Sequence, residues 1–203
     1  MGWRPAAEGL LGGSSCVSCG APGTSLCRPC AAAVAPPFAG EPVPGVARVV
    51  AAWAYEGAAR ELLLDLKLRG RRDAAEPLVE AIAEAVWRAG LDAAVLTWVP
   101  ARRGDVRGRG FDHAEVLARG LARRLGLPLS PLVERVGGGR DQASLSARER
   151  RVNPVGAFRG RRSRAPVGVV DDLVTTGSTL AACAAALRSA GAPAVEGVVA
   201  CRA

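Results

Sequence analysis

Residues 167–180 read VGVVDDLVTTGSTL, and this stretch constrains the fold of the 203-residue chain more than any other. An apolar strand ends in two carboxylates, and a Thr/Gly/Ser run then opens a helix. A strand feeding directly into a helix is half of the alternating pattern that builds a parallel sheet covered on both faces.

The rest of the chain supplies the other halves. Val46–Tyr55 (VARVVAAWAY) reads as a strand, rich in Val and aromatics. Leu62, Leu63, Leu66 and Leu68 fall near helical spacing over 57–68, closed by Gly70. A second helix spans 74–89, with Leu78, Val79, Ile82, Val86 and Trp87 on one face. A short buried strand over 94–99 ends at Pro100, and a helix over 112–125 stops at Gly126. Residues 129–136 read as a strand and 137–156 as a long loop without periodicity. A strand over 166–170, a helix over 178–190 and a last strand over 194–201 complete the pattern. The expected fold class is α/β, a parallel sheet with helices on both faces.

Cys16-x-x-Cys19 and Cys27-x-x-Cys30 form two knuckles seven residues apart, with Gly20 behind the first. Two such turns bring four thiolates to one tetrahedral ion, so the spacing predicts a closed structural zinc site; paired disulfides are the competing reading. The surrounding segment is too short and too rich in Gly and Pro to build its own core, so metal has to supply folding energy. Pro36, Pro37, Pro42 and Pro44 then make a stiff linker. The expected division is a zinc-ribbon or knuckle element with linker over 1–45 and an α/β domain over 46–203. Cys183 and Cys201 sit in apolar contexts and read as core packing.

No uncharged apolar run approaches the ~18 residues needed to span a bilayer, and no signal peptide is apparent, so the expected location is cytoplasmic. The net charge of +8 arises from 27 basic residues, of which Lys67 alone is lysine; a GC-rich coding background accounts for that bias. Residues 135–164 hold nine arginines against Asp141 and Glu149, so nearly all the excess lies in one stripe able to attract phosphates; the bland reading is a solvated basic loop.

Ligands of parallel sheets collect at the carboxyl ends of strands, where the 167–180 junction lies. Backbone N–H groups of Thr175, Thr176, Gly177, Ser178 and Thr179 at a helix start favour a phosphate. Asp171 and Asp172 would repel one, so they must face sugar hydroxyls or a divalent cation. A phosphorylated ribose meets both demands. Arg102, Arg103, Arg107 and Arg109 follow another strand end and suit a diphosphate; the alternative is an exposed basic turn. The 137–156 loop is long enough for a lid hinged at Gly137–Gly139, or is an unstructured insertion. His113 reads as a solvent-facing neighbour of a helix cap, with a general-base role the less favoured option.

VVDDLVTTGST resembles the phosphoribosyl-diphosphate (PRPP) motif of the type I phosphoribosyltransferases. That resemblance implies ribose hydroxyls on Asp171 and Asp172, the 5′-phosphate on Thr175–Thr179, and Mg²⁺ arriving with PRPP. The four-cysteine start, Val99–Pro100, the Arg109–Gly110–Phe111 block and the run Gln142, Leu145, Ser146, Glu149, Arg150, Asn153, Ala157, Phe158 together resemble the ComF family, which includes GntX and is associated with competence. Asp112 and His113 stand where that family usually has Asn-Gln. The resemblance implies diphosphate contacts from the basic turn, with Arg103 and Arg109 in catalytic roles, and from Gln142 and Arg150 of the lid. No separate region is set aside for an acceptor, so any such pocket has to involve residues 1–45. Two functions stay open: a phosphoribosyltransferase with an unknown acceptor, and a PRPP- or phosphate-binding accessory of DNA uptake that contacts single-stranded DNA or a helicase.

Overall fold

A computed structural model describes residues 14–136 and 156–203, apart from the side chains of Arg103 and Arg109. Gln142, Leu145, Ser146, Glu149, Arg150 and Asn153, and with them the proposed lid, lie outside the described residues.

The four-cysteine segment ends in a short helix α1 (Arg28–Ala32), and the linker leads to β1 (Val49–Ala54). Then follow α2 (Gly57–Lys67), a single 3₁₀ turn (Arg72–Ala74), α3 (Ala75–Ala89), β2 (Val95–Trp98), α4 (Arg103–Arg109) and α5 (His113–Leu125). The remaining elements are β3 (Val133–Arg135), β4 (Phe158–Gly160), β5 (Val167–Val174), α6 (Ser178–Ser189) and β6 (Val195–Arg202). Strands β1, β6, β5 and β2 lie side by side in that order, all parallel. The α/β parallel sheet expected from the sequence is the observed fold.

Side chains alternate across the sheet, and each face closes a separate core. On one face Val50, Leu96, Val170 and Val198 meet α2, α3 and α5, with Leu62, Leu66, Leu78, Ile82, Leu117 and Leu121 fully buried. On the other, Val167, Val169, Val195 and Val199 pack under α6 through Leu180, Cys183 and Leu187. Each such Leu contributes about 1.5–3 kcal/mol by leaving water. Cys183 and Cys201 are fully buried, as core packing requires.

Three local expectations need correction. Only Val133–Arg135 of the 129–136 segment is strand, and it pairs antiparallel with β4, outside the main sheet. Pro128 and Pro131 have no N–H to give a ladder, which shortens the strand. The basic turn after Pro100 is the helix α4, begun by Asp105 and Val106 N–H bonds to Arg102 O and ended by left-handed Gly110 (φ 78°). Strand β5 does not stop at Val170 but runs through Asp171 and Asp172, because β6 pairs with it as far as Val174.

The four-cysteine segment shares the core of the α2–α3 face: Cys16 and Leu26 are buried in it. Polar contacts fasten the same seam. Ser14 Oγ and Ser25 Oγ each donate to Asp73 Oδ2 at 2.6 Å, and Ala54 N–H donates to Ala35 O.

The β3–β4 hairpin rests on α6 at Gly160. A Cβ there would lie 2.3 Å from Ala186 O and 2.6 Å from its carbonyl carbon, both backbone atoms that cannot turn aside. Gly160→Ala is therefore expected to destabilise the protein by about 1–3 kcal/mol. Urea unfolding checks this, and a loss below ~0.5 kcal/mol contradicts the close approach.

Candidate functional site

The connection after β5 goes to α6 on one face of the sheet, and that after β2 goes to α5 on the other. A crevice opens between neighbouring strands whose connections diverge in this way, outside their carboxyl ends. The acidic pair stands at that point. Val99 N–H bonds Val170 O, so the turn leading to α4 runs directly beside it.

Alternation sends the two carboxylates to opposite faces. Asp171 turns toward the α6 side, where its charge is felt by Cys183 and Arg135. Its Oδ1 accepts the Asp172 N–H at 2.9 Å. Burial, reinforced by the Asp172 charge, pushes its carboxyl well above the usual range. Asp172 turns toward the α2–α5 side, and its Oδ2 lies 2.7 Å from Lys67 Nζ and 3.3 Å from His113 Nε2. Burial acts upward on Asp172 as well, but the His113 hydrogen bond and the Lys67 charge outweigh it and hold the carboxyl at about 2.

His113 corrects an expectation, because it is buried at the site and not solvent-facing. Asp112 is the reason. Its carboxylate caps α5 by accepting from Ala114 and Glu115 N–H, and it also accepts Ala101 N–H at 2.8 Å. The first turn of α5 is thereby tied to the strand-end turn, which aims His113 inward. The cap bonds fall on Oδ1 and the Ala101 bond on Oδ2, so an Asn, with one acceptor oxygen, could keep the cap but not both sets of bonds. His113 Nδ1 is buried and has no hydrogen-bond partner among the described residues.

Lys67, the last residue of α2, went unassigned in the sequence although it is the single lysine among 27 basic residues. That exception was the available signal, and the coding-bias reading masked it. Arg135 also went unassigned. Its Nε donates to Pro100 O at 3.0 Å, and its guanidinium lies 4.5 Å from the Phe158 ring centroid. Burial, aided by neighbouring Arg102, lowers its affinity for a proton. It backs the strand-end turn at which Arg102 and Arg107 are exposed.

Beyond β5, Thr175 and Thr176 are exposed, and Gly177 caps α6 at φ 72°, while Thr176 Oγ1 accepts the Ser178 N–H at 3.4 Å. Thr176 Oγ1 contacts Ser178 Oγ at 3.1 Å within this turn. Amides at the start of a 12-residue helix attract an anion. The linker passes over them: a Cβ on Gly177 would meet Val43 Cγ2 at 2.6 Å. Linker residues 39–43 and the Thr175–Gly177 turn wall a cleft of about 470 Å³ that also touches Arg202.

The four sulfurs of Cys16, Cys19, Cys27 and Cys30 lie within 4.8 Å of one another, with Cys19 Sγ and Cys27 Sγ 3.6 Å apart. Sulfurs about 2.3 Å from a tetrahedral zinc sit about 3.8 Å apart, so the cluster is compatible with a structural zinc ion. Gly20 N–H bonds Cys16 O, closing the first knuckle, and Cys27 N–H points at Cys16 Sγ. Burial acts to raise the Cys16 thiol, but N–H groups of Cys19, Cys27 and Ser18 prevail and bring it to about 6. The donors already favour thiolate, the form a metal needs.

His113, Asp171 and Asp172 also offer ligand atoms within 4.8 Å of one another. They do not make a cage for Mg²⁺, because the Lys67 ammonium already sits on Asp172 Oδ2 and the three supply too few oxygens.

No family model matches the chain. It is 37% identical over 94 residues to Competence protein F of Haemophilus influenzae, an overlap covering 43% of this chain and 41% of that protein. Among solved structures it is similar to glutamine PRPP amidotransferase from B. subtilis complexed with ADP and GMP, with 21% identity, TM-score 0.48, and 68% and 30% of the two chains covered. It is also similar to the purine phosphoribosyltransferase of Pyrococcus horikoshii, with 18% identity, TM-score 0.36, and 62% and 71% covered. No helix among the described residues is long and apolar enough to cross a membrane. A parallel sheet with an acidic pair and a helix start at its carboxyl edge and a clustered four-cysteine segment thus accompany a similarity to Competence protein F that spans less than half of either chain.

Proposed function

We propose that the carboxyl edge of the sheet binds PRPP and supports transfer of its phosphoribosyl group, with release of diphosphate, to an acceptor not yet identified. The observation that carries this reading is the juxtaposition of a buried acidic pair with a glycine-capped helix N-terminus at the end of one strand. The amides and hydroxyls of Thr175, Thr176, Gly177, Ser178 and Thr179 receive the 5′-phosphate. Asp171 and Asp172 accept from the ribose hydroxyls. Arg102, Arg103, Arg107 and Arg109 face the diphosphate, with Gln142 and Arg150 contributed by the following segment and Arg135 supporting the turn from behind. In the transfer the C1–oxygen bond breaks, the diphosphate leaves with its electron pair, and a nitrogen nucleophile bonds to C1. Mg²⁺ belongs to this reading only as a companion of the ligand, held by the diphosphate oxygens. The linker wall at residues 39–43 is the available place for an acceptor.

Calorimetric titration of Mg²⁺–PRPP tests the site. The wild type is expected to bind, and Asp172→Asn, which keeps the shape and removes the charge, is expected to bind roughly tenfold more weakly. No heat with the wild type overturns the proposal.

The four cysteines are proposed to hold zinc in a structural role. The purified protein is then expected to carry about one zinc per chain. Because Cys16 and Leu26 belong to the core of the α2–α3 face, chelation is expected to lower the melting temperature of the whole protein as well as loosening residues 14–35. Metal-free protein with an unchanged melting temperature contradicts this.

A second reading rests on Arg159 in β4 and Arg161, Arg162 and Arg164 just after it, all exposed. They suit a phosphate backbone, so a role beside single-stranded DNA or a DNA-uptake helicase is the alternative. The name of the Haemophilus relative favours that setting. DNA binding that weakens steeply with salt and ignores base sequence would support it.

A further inference from the structure

The acidic pair contains its own comparison. Asp171 and Asp172 are neighbours on one strand, both deeply buried, yet their surroundings differ in one respect: two nitrogen donors converge on Asp172. Lys67 approaches from the end of α2 and His113 from the start of α5, and both meet the same oxygen, Oδ2. The two nitrogens stand 2.7 and 3.3 Å from that oxygen, so they place positive charge on one side of the carboxylate and leave its other oxygen to a ligand. Resting on the PRPP reading above, we infer that Lys67 is a positioning residue of the ribose subsite, which keeps Asp172 an oriented, fully ionised acceptor for a sugar hydroxyl.

The choice of lysine fits this task. The chain uses arginine at the other basic positions, but a guanidinium is a wide planar fork, whereas an ammonium is a compact point charge able to share one oxygen with an imidazole. A cation at the C-terminal end of a helix is favoured there as well. The groups around Asp172 are Lys67 from α2, His113 from α5, Asp171 on its own strand and Cys201 from β6, with Tyr55 beyond β1 near Lys67. Among them Lys67 supplies the compensating charge independently of histidine protonation. Burial acts to raise both carboxyls of the pair, and on Asp172 the Lys67 charge, together with His113, opposes it.

The sign follows from that contrast. In the wild type Asp172 is held well below the usual carboxylate range, so the group adds little pH dependence to binding near neutrality. With Lys67 neutralised, burial raises Asp172, and the carboxylate protonates as pH falls. Lys67→Met, with Lys67→Gln as a second variant if the first folds poorly, is titrated with Mg²⁺–PRPP at several pH values alongside the wild type. Taking the variant-to-wild-type affinity ratio at each pH cancels ionisation of the ligand. The expected result is a ratio falling roughly tenfold for each unit of pH below the raised Asp172 value. In an Asp172→Asn background the same substitution is expected to add little, as two changes acting through one group should.

A ligand-free measurement runs in parallel. The Asp172 carboxyl carbon, identified by its absence from Asp172→Asn, is followed by ¹³C NMR from about pH 8 to about pH 4. It is expected to stay flat in the wild type and to titrate in the Lys67 variants. A flat signal in those variants, or a pH-independent loss of affinity, overturns the role of Lys67. Absence of PRPP binding by the wild type overturns instead the reading on which the ribose subsite rests, while the NMR titration still decides whether Lys67 holds Asp172 ionised.

Discussion

Two adjacent carboxylates cannot both be buried as bare anions, because the loss of hydration is too great to be met by backbone donors alone. The chain places such a pair inside its central strand and resolves the conflict asymmetrically. One acid is pushed toward its neutral form, and the other is held ionised by Lys67 and His113. The elements around the site follow from that solution. Helix α2 has to end where its last residue reaches β5, and α5 has to begin beside the strand-end turn. Asp112 secures the second condition by capping α5 and bonding Ala101 at once.

The opposite face of the sheet solves a different problem. The start of α6 is where the proposed function puts a phosphate, and the rest of the helix needs covering. The β3–β4 hairpin covers its middle at Gly160, and the linker covers its beginning through Val43 on Gly177. Both glycines sit where a side chain would separate the layers. The linker leaves the four-cysteine segment, which is fastened by Asp73 to the α2–α3 face. The four-cysteine cluster and the start of α6 are therefore joined by one short, proline-rich piece of chain.

Much of this was legible in the sequence because the signals are local. The strand–helix alternation, the acidic pair, the Thr/Gly/Ser helix start and the twin cysteine knuckles each declare themselves within a few residues. Errors arose where a local signal was weak or misleading. The basic turn after Pro100 has too little periodicity to announce a seven-residue helix. The 129–136 run is apolar enough for a strand, but Pro131 removes a donor that a long ladder needs. His113 beside a cap residue looks like a surface position until Asp112 is seen to bond the neighbouring turn.

Taken by itself, the sequence determined the fold class and the strand–turn–helix junction at the carboxyl edge where a phosphate is proposed to bind, since hydrophobic period and capping act over short stretches. Only the tertiary structure decided that the two acids face opposite ways, that the single lysine meets the second of them, that His113 is buried beside it, and that Arg135 stacks on Phe158 behind the basic turn. Those contacts join elements distant in the chain. They depend on strand order and on which face each helix covers, and neither is written in any short run of residues.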